Sequence, residues 1–168
     1  MNISYGIHES PFGYVVIGLS EGKIATVTFS DTLSEKKARE LIKRDWPKAT
    51  FARNDQVTAR HAKKLFKKDA DYSEFDVLIQ GTDFQKKVWK QLLRIPKGKT
   101  TTYAKIAHKI GSPKAVRAVG TACGKNRIAY LIPCHRVLSS NGKLGGYATG
   151  TKRKVAMLTS ESAKIGLK

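Results

Sequence analysis

The sequence predicts an α+β protein built from two modules, and two observations carry this prediction. Residues 14–19 and 23–29 are rich in β-branched side chains and are joined by Ser20-Glu21-Gly22, a pattern typical of a β-hairpin. Beyond Gln80 the apolar residues recur at helical spacing, in segments separated by glycine and proline. The 168 residues suffice for two small hydrophobic cores.

The charge is distributed unevenly between the two modules. Residues 1–80 contain 13 lysines and arginines against 11 acidic residues, whereas residues 81–168 contain 19 against two, Asp83 and Glu161. One-sided charge at this density is self-repulsive unless a polyanion is the partner. Nucleic acid is the first candidate for that partner and an anionic membrane surface the second. The change at Gln80-Gly81-Thr82 predicts two domains, 1–80 and 81–168.

The composition also excludes several classes of protein. No apolar stretch is long enough to span a bilayer, and the first residues lack the pattern of a secretory signal. The two cysteines, Cys123 and Cys134, do not have the spacing of a disulfide framework or of a zinc site. We therefore expect a protein of the cytoplasm or nucleoid, or of the nucleus in a eukaryote, without a membrane partner or a metal.

Two helices and a strand are predicted after the hairpin in the first module. Thr32 and Glu35 have the spacing of a capping box, which would begin a helix that ends before Trp46-Pro47. A second helix is expected over residues 55–68 and a strand over residues 75–79. The apolar stripe of that second helix consists of Val57, His61, Ala62, Leu65 and Phe66. Nothing in this module indicates chemistry, so we interpret it as an α/β support.

The second module opens with a predicted helix and continues into a helix-turn-helix. Thr82 or Asp83 caps the opening helix, whose apolar residues recur at intervals of four, and residues 96–98 end it. The two helices of the motif cover residues 104–110 and a stretch that ends near residue 122. Two short helices joined by a tight turn that contains glycine are typical of this motif.

The turn of the motif is predicted from three consecutive residues. Gly111 closes the first helix as a left-handed cap. Ser112 is expected as the N-cap of the second helix, with Pro113 at the first helical position, where its missing N–H is harmless.

The second helix of the motif is dominated by small residues, including Ala118 and Ala122, around the long side chain of Arg117. An ordinary recognition helix carries long polar side chains that reach base edges in the major groove. Small side chains instead permit the helix to approach DNA closely, as in a narrow groove. The alternative is that the alanines pack on the protein's own core and that Arg117 is an exposed solubilising charge.

Cys134 lies within the segment Ile132-Pro133-Cys134-His135-Arg136-Val137. Pro133 fixes its own φ and favours an extended Ile132, so the thiol is presented from a stiff turn. A thiol beside an imidazole is a candidate thiolate, which is the reactive form. The alternative is a small buried cysteine next to a histidine, since free cysteines are often core residues.

The end of the chain supplies glycine-rich backbone and a carboxylate. Asn141-Gly142 predicts a tight hairpin turn, and the three glycines of residues 144–150 indicate backbone that bends or passes close to a ligand. Thr151 is expected to cap a last basic helix, which contains Glu161. One side of this helix carries Val155, Leu158 and Ser162.

Residues 81–168 closely resemble the O6-alkylguanine-DNA alkyltransferase family, which repairs O6-methylguanine by suicide methyl transfer. The resemblance rests on Pro133-Cys134-His135-Arg136-Val137 together with Gly145-Gly146-Tyr147. Further matching segments are Gly81-Thr82-x-Phe84-Gln85-x-x-Val88-Trp89, Ile95-Pro96-x-Gly98-x-Thr100, Tyr103, Arg117-Ala118-Val119 and Asn126. Residues 1–80 match only in outline. The resemblance implies a ribonuclease H-like antiparallel sheet in the first domain, a winged-helix-like second domain and no cofactor.

The resemblance implies the catalytic roles. Cys134 would attack the alkyl carbon in an SN2 displacement and keep the alkyl group, so the transfer is irreversible and stoichiometric. His135 would act through a water as the base, and Glu161 would orient its imidazole, as in a triad. Asn126 would brace the turn that carries the cysteine. The substrate would be O6-alkylguanine, and also O4-alkylthymine, in DNA.

The remaining implied roles concern the leaving group and the base pocket. Tyr103 would donate to the departing guanine, and Lys154 would add positive charge nearby. The pocket wall would consist of Gly145, Gly146, Tyr147 and Ala148, of which the last stands where some members carry a hydroxyl.

DNA recognition is implied for a second group of residues. Arg117 matches the arginine that fills the space of an extruded base, so the helix would be a wedge in the minor groove of double-stranded DNA. Ala118, Ala122 and Arg136 are expected to contact the DNA or the base. We expect a monomer.

Two residues depart from the family pattern or lie beside it. Arg127 stands where proline is usual and predicts a looser turn, and Cys123 is expected to be a small packing residue near the DNA face. The zinc that some members bind in the first domain is not expected, since residues 1–80 contain no cysteine. The alternatives are a protein that binds alkylated DNA without repairing it and a Cys-His-Glu hydrolase.

Overall fold

The structure is a computed structural model that describes residues 1–161, and it confirms an α+β architecture. The chain forms two compact units, which divide between Ile79 and Gln80. This division lies one residue before the predicted boundary. Over the described residues, no helix combines the length and the apolar composition needed to cross a membrane. Ser162, which was expected on the last helix, lies outside the described residues.

A four-stranded sheet forms the centre of the first unit. Its strands are β1 (Asn2–Ser10), β2 (Gly13–Ser20), β3 (Lys23–Ser30) and β4 (Thr50–Arg53). In the order β3-β2-β1-β4, the first three strands are antiparallel and β4 runs parallel to β1. The predicted hairpin is confirmed as β2 and β3. The strand β1 was not predicted, although Ile3, Tyr5 and Ile7 alternate along it and are buried.

The N-cap of the first helix of this unit, α1 (Glu35–Asp45), lies two residues later than predicted. The hydroxyl of Ser34 accepts a hydrogen bond from the N–H of Lys37 (3.1 Å) and caps the helix. The capping box that begins at Thr32 is therefore wrong, because the N–H of Thr32 donates instead to the hydroxyl of Ser30. The helix ends at Asp45, directly before Trp46, as predicted. The core that it covers consists of Ile3, Tyr5, Ile7, Val16, Ala25, Ala38, Ile42 and Trp46.

The second helix, α2 (Asp55–Leu65), is shorter than predicted, and its predicted apolar stripe is confirmed only in part, since Ala62 and Leu65 are buried. Thr58 is buried, whereas Val57 is 46% exposed. The strand expected over residues 75–79 is also wrong. This segment pairs with β3 at one residue only, through an isolated bridge between Val77 and Ile24.

The second unit is mainly helical. It contains α3 (Asp83–Leu92), β5 (Thr101–Thr102), α4 (Tyr103–Lys109), α5 (Val116–Gly124), β6 (Val137–Leu138) and α6 (Thr151–Ser160). The two short strands pair in parallel. Thr82 caps α3, and the side chain of Gln85 completes a capping box. The indole N–H of Trp89 donates to the carbonyl of Ala122 (2.9 Å), which ties α3 to α5.

The turn between α4 and α5 corrects one predicted helix start. Gly111 has a φ of 78°, so the left-handed cap after α4 is confirmed. Ser112 is not an N-cap. The N–H of Ala115 donates to the carbonyl of Ser112 (2.8 Å), so Pro113 lies inside a β-turn and the helix begins only at Val116. Similarly, Gly150 occupies the N-cap position of α6, and the predicted cap, Thr151, is its first helical residue.

Candidate active site

The turn around Pro133 is an inverse γ-turn followed by one turn of 3₁₀ helix. The N–H of Cys134 donates to the carbonyl of Ile132 (2.8 Å), and Pro133 between them has φ −82° and ψ 64°. The N–H of Arg136 then donates to the carbonyl of Pro133 (3.0 Å). The backbone of Cys134 is thus fixed on both sides, and the thiol projects from a rigid segment.

Asn126 connects this turn directly to the sulfur. Its side-chain NH₂ donates to the carbonyl of Ile132 (2.8 Å) and to the sulfur of Cys134 (3.3 Å). Its side-chain oxygen accepts from the N–H of Ile128 (3.0 Å). One amide therefore holds the turn and also supplies a hydrogen bond that favours negative charge on the sulfur.

The surroundings of Cys134 both hinder and assist its ionisation. The residue is 7% exposed, and burial raises the pKa of its thiol. The hydrogen bond from Asn126, the charge of Lys154 and a hydrogen bond from Tyr147 act in the opposite direction. Burial prevails, so the group is a thiol at neutral pH, and a base must take its proton before the sulfur can attack.

His135 and Glu161 form a buried pair next to this thiol. Nε2 of the imidazole lies 2.5 Å from Oε1 of the carboxylate, and their side chains are 0% and 1% exposed. Burial lowers the pKa of His135, although the carboxylate opposes this effect. Within residues 1–161, Nδ1 of His135 has no hydrogen-bond partner. A neutral imidazole that donates from Nε2 keeps Nδ1 as an acceptor, which is the property that a base requires.

Arg136 corrects one of the predicted DNA contacts. Its side chain is buried, its Nε lies 2.9 Å and 3.2 Å from the carboxylate oxygens of Glu161, and its Nη1 donates to the carbonyl of Ile95 (2.7 Å). An arginine held in this way cannot reach DNA. Burial alone would raise the pKa of Glu161, but the hydrogen bonds from His135 and Arg136 prevail and lower it. Glu161 is therefore an anion shared by two partners.

Lys154 is completely buried and holds the glycine-rich segment. Its ammonium donates to the carbonyls of Val137 (2.7 Å), Leu144 (2.5 Å) and Gly146 (3.2 Å). Burial lowers the pKa of Lys154 to about 8. The side chain thus positions the pocket wall and places a positive charge near the sulfur.

A cavity of about 390 Å³ lies beside Cys134. It is lined by Tyr103, Gly120, Cys123, Gly124, Cys134, Ser139, Gly145, Gly146, Tyr147 and Ala148. Burial raises the pKa of Tyr103 to about 12 and that of Tyr147 well above its usual value, so both phenols remain hydrogen-bond donors. Gly145 has a φ of 67°, and a Cβ there would lie 3.0 Å from Oγ of Ser139. Only glycine suits that position.

The exposure of the residues of α5 agrees only in part with the DNA contacts predicted for them. Arg117 and Ala118 are exposed, whereas Ala122 is 2% exposed and its carbonyl accepts the bond from Trp89. The prediction that Ala122 contacts DNA is therefore wrong, because this alanine packs against α3. For Ala122, the core-packing alternative is the correct one.

Three features of the site were not predicted, namely the place of Cys123 in the cavity wall, the hydrogen bond of Arg127 and the stacking of Tyr130. Cys123 is 7% exposed and lines the same cavity as Cys134, and burial raises the pKa of its thiol to about 12. The guanidinium of Arg127 donates to the carbonyl of Gln80 (2.6 Å), so this residue ties the turn to the start of the unit. Tyr130 stacks on His135. A tyrosine in a hydrophobic run gives little indication of a role in the site, since it is equally typical of an ordinary hydrophobic core.

Together these features define a class of protein, one that carries a buried cysteine and a buried His-Glu pair on a helix-turn-helix unit. Comparison with known proteins agrees with this class. A family model described as 6-O-methylguanine DNA methyltransferase, DNA binding domain, matches residues 83–163. A methylated-DNA–protein-cysteine methyltransferase of Methanosarcina barkeri is 42% identical over 162 residues, which cover 96% of this chain and 98% of the relative.

Solved structures give the same result. The O6-methylguanine methyltransferase of Mycobacterium tuberculosis is similar with a TM-score of 0.76 and 33% identity, over 95% of this chain and 93% of that one. The OGT protein of the same organism, solved in complex with DNA, has a TM-score of 0.72 and 32% identity, over 95% and 92% of the two chains. The chain belongs to the methylated-DNA–protein-cysteine methyltransferase family.

Proposed function

We propose that this protein repairs DNA by transferring the alkyl group of O6-alkylguanine, and of O4-alkylthymine, to its own Cys134. One observation carries the proposal: a cysteine that lines a base-sized cavity, with a buried His135–Glu161 pair beside it. A sulfur that has accepted an alkyl group is a thioether, and water does not cleave its C–S bond because the thiolate is a poor leaving group. Each molecule therefore acts once.

The chemistry follows from the residues around the sulfur. His135 takes the proton of Cys134 through a bridging water, and Glu161 stabilises the resulting imidazolium. The hydrogen bond from Asn126 stabilises the thiolate until it attacks. A C–S bond then forms as the bond between the alkyl carbon and O6 of guanine breaks.

The leaving group is the guanine anion, which needs a proton or a hydrogen bond. Tyr103 lines the cavity, and its high pKa keeps the phenol protonated, so it donates to the departing base. Lys154 lies 6.0 Å from the centres of the rings of Tyr103 and Tyr147 and favours negative charge in the cavity. The net change moves the thiol proton to the base and the alkyl group to sulfur.

DNA reaches this cavity as a duplex from which the damaged nucleotide is extruded. The exposed Arg117 on α5 fills the vacated space, and the small Ala118 lets the helix enter the minor groove. The base then lies against Gly145, Gly146, Tyr147 and Ala148. In this proposal the second domain, a winged-helix-like unit, binds DNA and accepts the alkyl group as a monomer. The first domain, with a ribonuclease H-like sheet, supports it.

Two alternatives are less well supported. A protein that only binds alkylated DNA has no use for a cysteine in the cavity, whereas Cys134 is present with hydrogen-bond donors directed at its sulfur. A hydrolase with the same trio leaves unexplained the 19 basic residues against two acidic ones in residues 81–168.

Peptide mass analysis tests the proposal. The protein is incubated with a duplex oligonucleotide that contains O6-methylguanine and is then digested. We expect one methyl group on the peptide that contains Cys134 and none on the peptide that contains Cys123. The Cys134→Ala variant is expected to bind the same duplex without gaining a methyl group. An unmodified Cys134 in the wild-type protein would contradict the proposal.

A further inference from the structure

Tyr130 adopts a backbone conformation that bulky residues rarely have. Its φ is +73°, and the N–H of Leu131 donates to the carbonyl of Ala129 (2.9 Å), which closes a three-residue turn around it. A γ-turn with positive φ at its centre is rare and strained. Strain of this kind persists where the surrounding structure requires the residue to be where it is.

The strained turn places the ring of Tyr130 on His135. The two ring centres are 5.8 Å apart and the ring planes are inclined by 14°, which is an offset stack. Tyr130 is 8% exposed and His135 is 0% exposed, so neither ring has room to turn freely. The imidazole is therefore constrained twice, by Glu161 at Nε2 and by the phenol ring across its face.

These two constraints differ in what they control. A hydrogen bond at Nε2 sets the tautomer and one point of the ring but allows the imidazole to swing about that bond. The stack fixes the ring plane, and with it the direction of Nδ1. The face of a phenol ring also carries partial negative charge, which attracts a cation at this distance.

We propose that Tyr130 is a positioning residue for His135, whose ring plane it fixes and whose imidazolium it stabilises while Cys134 loses its proton. The step is a proton transfer from the sulfur to Nδ1 through water, so the positive charge appears directly against the phenol ring. The inference rests on the proposed alkyl transfer, because it concerns the base of that reaction.

The other groups that act on His135 remain in place when Tyr130 is changed. The carboxylate of Glu161 favours the imidazolium, whereas the charges of Arg136 and Lys154 oppose it. The thiol of Cys134 is the proton donor. Substitution of Tyr130 therefore leaves the carboxylate, the two cations and the thiol that act on His135 unchanged, provided that the variants fold.

Three variants separate the ring from the backbone. Tyr130→Phe keeps the stacked ring, Tyr130→Leu removes the ring and keeps the strained backbone, and Tyr130→Gly removes the ring and relieves the strain. The measurement is the single-turnover rate constant of methyl transfer as a function of pH. Tyr5→Leu makes the same change at a buried tyrosine of the first unit and controls for a general loss of stability.

We expect Tyr130→Phe to react within about twofold of the wild type, and Tyr130→Leu and Tyr130→Gly to react at least roughly fivefold more slowly at about pH 7. The deficit should shrink at about pH 9.5, because hydroxide is then concentrated enough to compete with the imidazole as the base that removes the thiol proton. Comparing the two pH values within one variant cancels a partial loss of folded protein. If either Tyr130→Leu or Tyr130→Gly does not fold, the other variant still tests whether the ring affects the rate.

Three results would overturn the inference. The ring has no role if Tyr130→Leu matches the wild type at both pH values. If Tyr130→Gly reacts normally while Tyr130→Leu does not, the slower reaction of Tyr130→Leu comes from backbone strain and not from the loss of the ring. The effect is merely structural if the deficit is the same at both pH values or occurs equally in Tyr5→Leu. A wild-type protein that gains no methyl group would instead contradict the proposed function itself.

Discussion

The sulfur of Cys134 lies where burial opposes its ionisation and three neighbours assist it. Of these neighbours, Asn126 is the one that contacts both the sulfur and the backbone of the turn. The amide is neutral, so it stabilises a thiolate without adding charge to the unreacted site. This balance suits an acceptor that must stay intact until a damaged base arrives, because a permanently ionised thiol is open to oxidation.

The first prediction concerns this amide. Asn126→Asp places a carboxylate at the position from which the NH₂ group donates, and like charge raises the pKa of the thiol further. We expect methyl transfer at neutral pH to slow by at least about tenfold, which corresponds to one pKa unit. Rate constants are measured by single-turnover kinetics, with Asn141→Asp in an exposed turn as the matched control. Equal rates in the two variants would contradict the role of Asn126.

The second prediction concerns Glu161, which two buried partners share. The pKa of Glu161 is lowered in the folded protein, so its ionised form contributes stability above the ordinary carboxyl pKa, and this contribution is lost as pH falls through the lowered value. Glu161→Gln should cost about 3 kcal/mol at neutral pH, because it leaves Arg136 buried without its anion.

The difference in unfolding free energy between the wild type and Glu161→Gln should therefore shrink as the pH is lowered below the usual carboxyl range. Urea unfolding followed by the fluorescence of Trp89, in a Trp46→Phe background, measures it for the second unit. A difference that is constant from neutral to acidic pH would mean that the carboxylate charge is not what stabilises this pair.

Individual residues show where sequence reasoning succeeds. The hydrogen bonds between Asn126 and Cys134 and between His135 and Glu161 agree with the pairings that the family resemblance implies. Arg136 was misassigned, since a basic residue in a basic domain gives no sign that a carboxylate 25 positions later will bind it inside the protein.

At the scale of elements, α5 presents two faces with different tasks. Val119, Ala122 and Cys123 are buried, while Arg117 and Ala118 are exposed on the other side. The small residues therefore serve both the packing on α3 and the exposed surface. The core-packing interpretation is therefore correct for Ala122, whereas the contact of the exposed Ala118 with DNA stays a prediction.

The third prediction follows from the exposed face of α5. Arg117→Ala should slow methyl transfer from duplex DNA by at least about tenfold, because the arginine no longer fills the space of the extruded base. Transfer from the free methylated base should change by less than about twofold, since no space needs filling. Lys109→Ala, which removes one exposed charge from α4, is the control. Equal losses on both substrates would count against the wedge.

Helix and strand positions were predicted better than their ends. The hairpin β2–β3 and the helices α1, α3 and α4 follow from local patterns. The starts of α1 and α5 were wrong because several residues in each turn can serve as a cap, and Ser34 and the turn at Ser112 are selected by the path of the chain. The strand β4 was missed since its four residues pair with β1, which lies about 50 positions earlier.

At the scale of the whole molecule, the charge is the property with the largest expected effect on binding. The 168 residues carry a net charge of +19, nearly all of it in residues 81–168. Cations that neutralise phosphates release condensed counterions, so this part of the affinity for DNA depends on salt and is independent of the DNA sequence.

The fourth prediction is a steep salt dependence. For a contact with about six phosphates, the affinity for undamaged duplex DNA should fall about a thousandfold between about 50 mM and 200 mM salt. Fluorescence anisotropy with a labelled duplex measures this dependence, and Arg117→Ala should lower the slope by at most about one phosphate. An affinity that is insensitive to salt would show that the basic residues do not contact the phosphate backbone.

The stoichiometry of transfer tests the central claim most directly. The protein is titrated with an excess of duplex that contains radiolabelled O6-methylguanine, and the label bound to protein is counted. The account predicts that transfer stops at one methyl group per molecule, that all of it is on Cys134, and that the repaired duplex accumulates in the same amount. Continued repair beyond one equivalent, or repair without label on the protein, would contradict it.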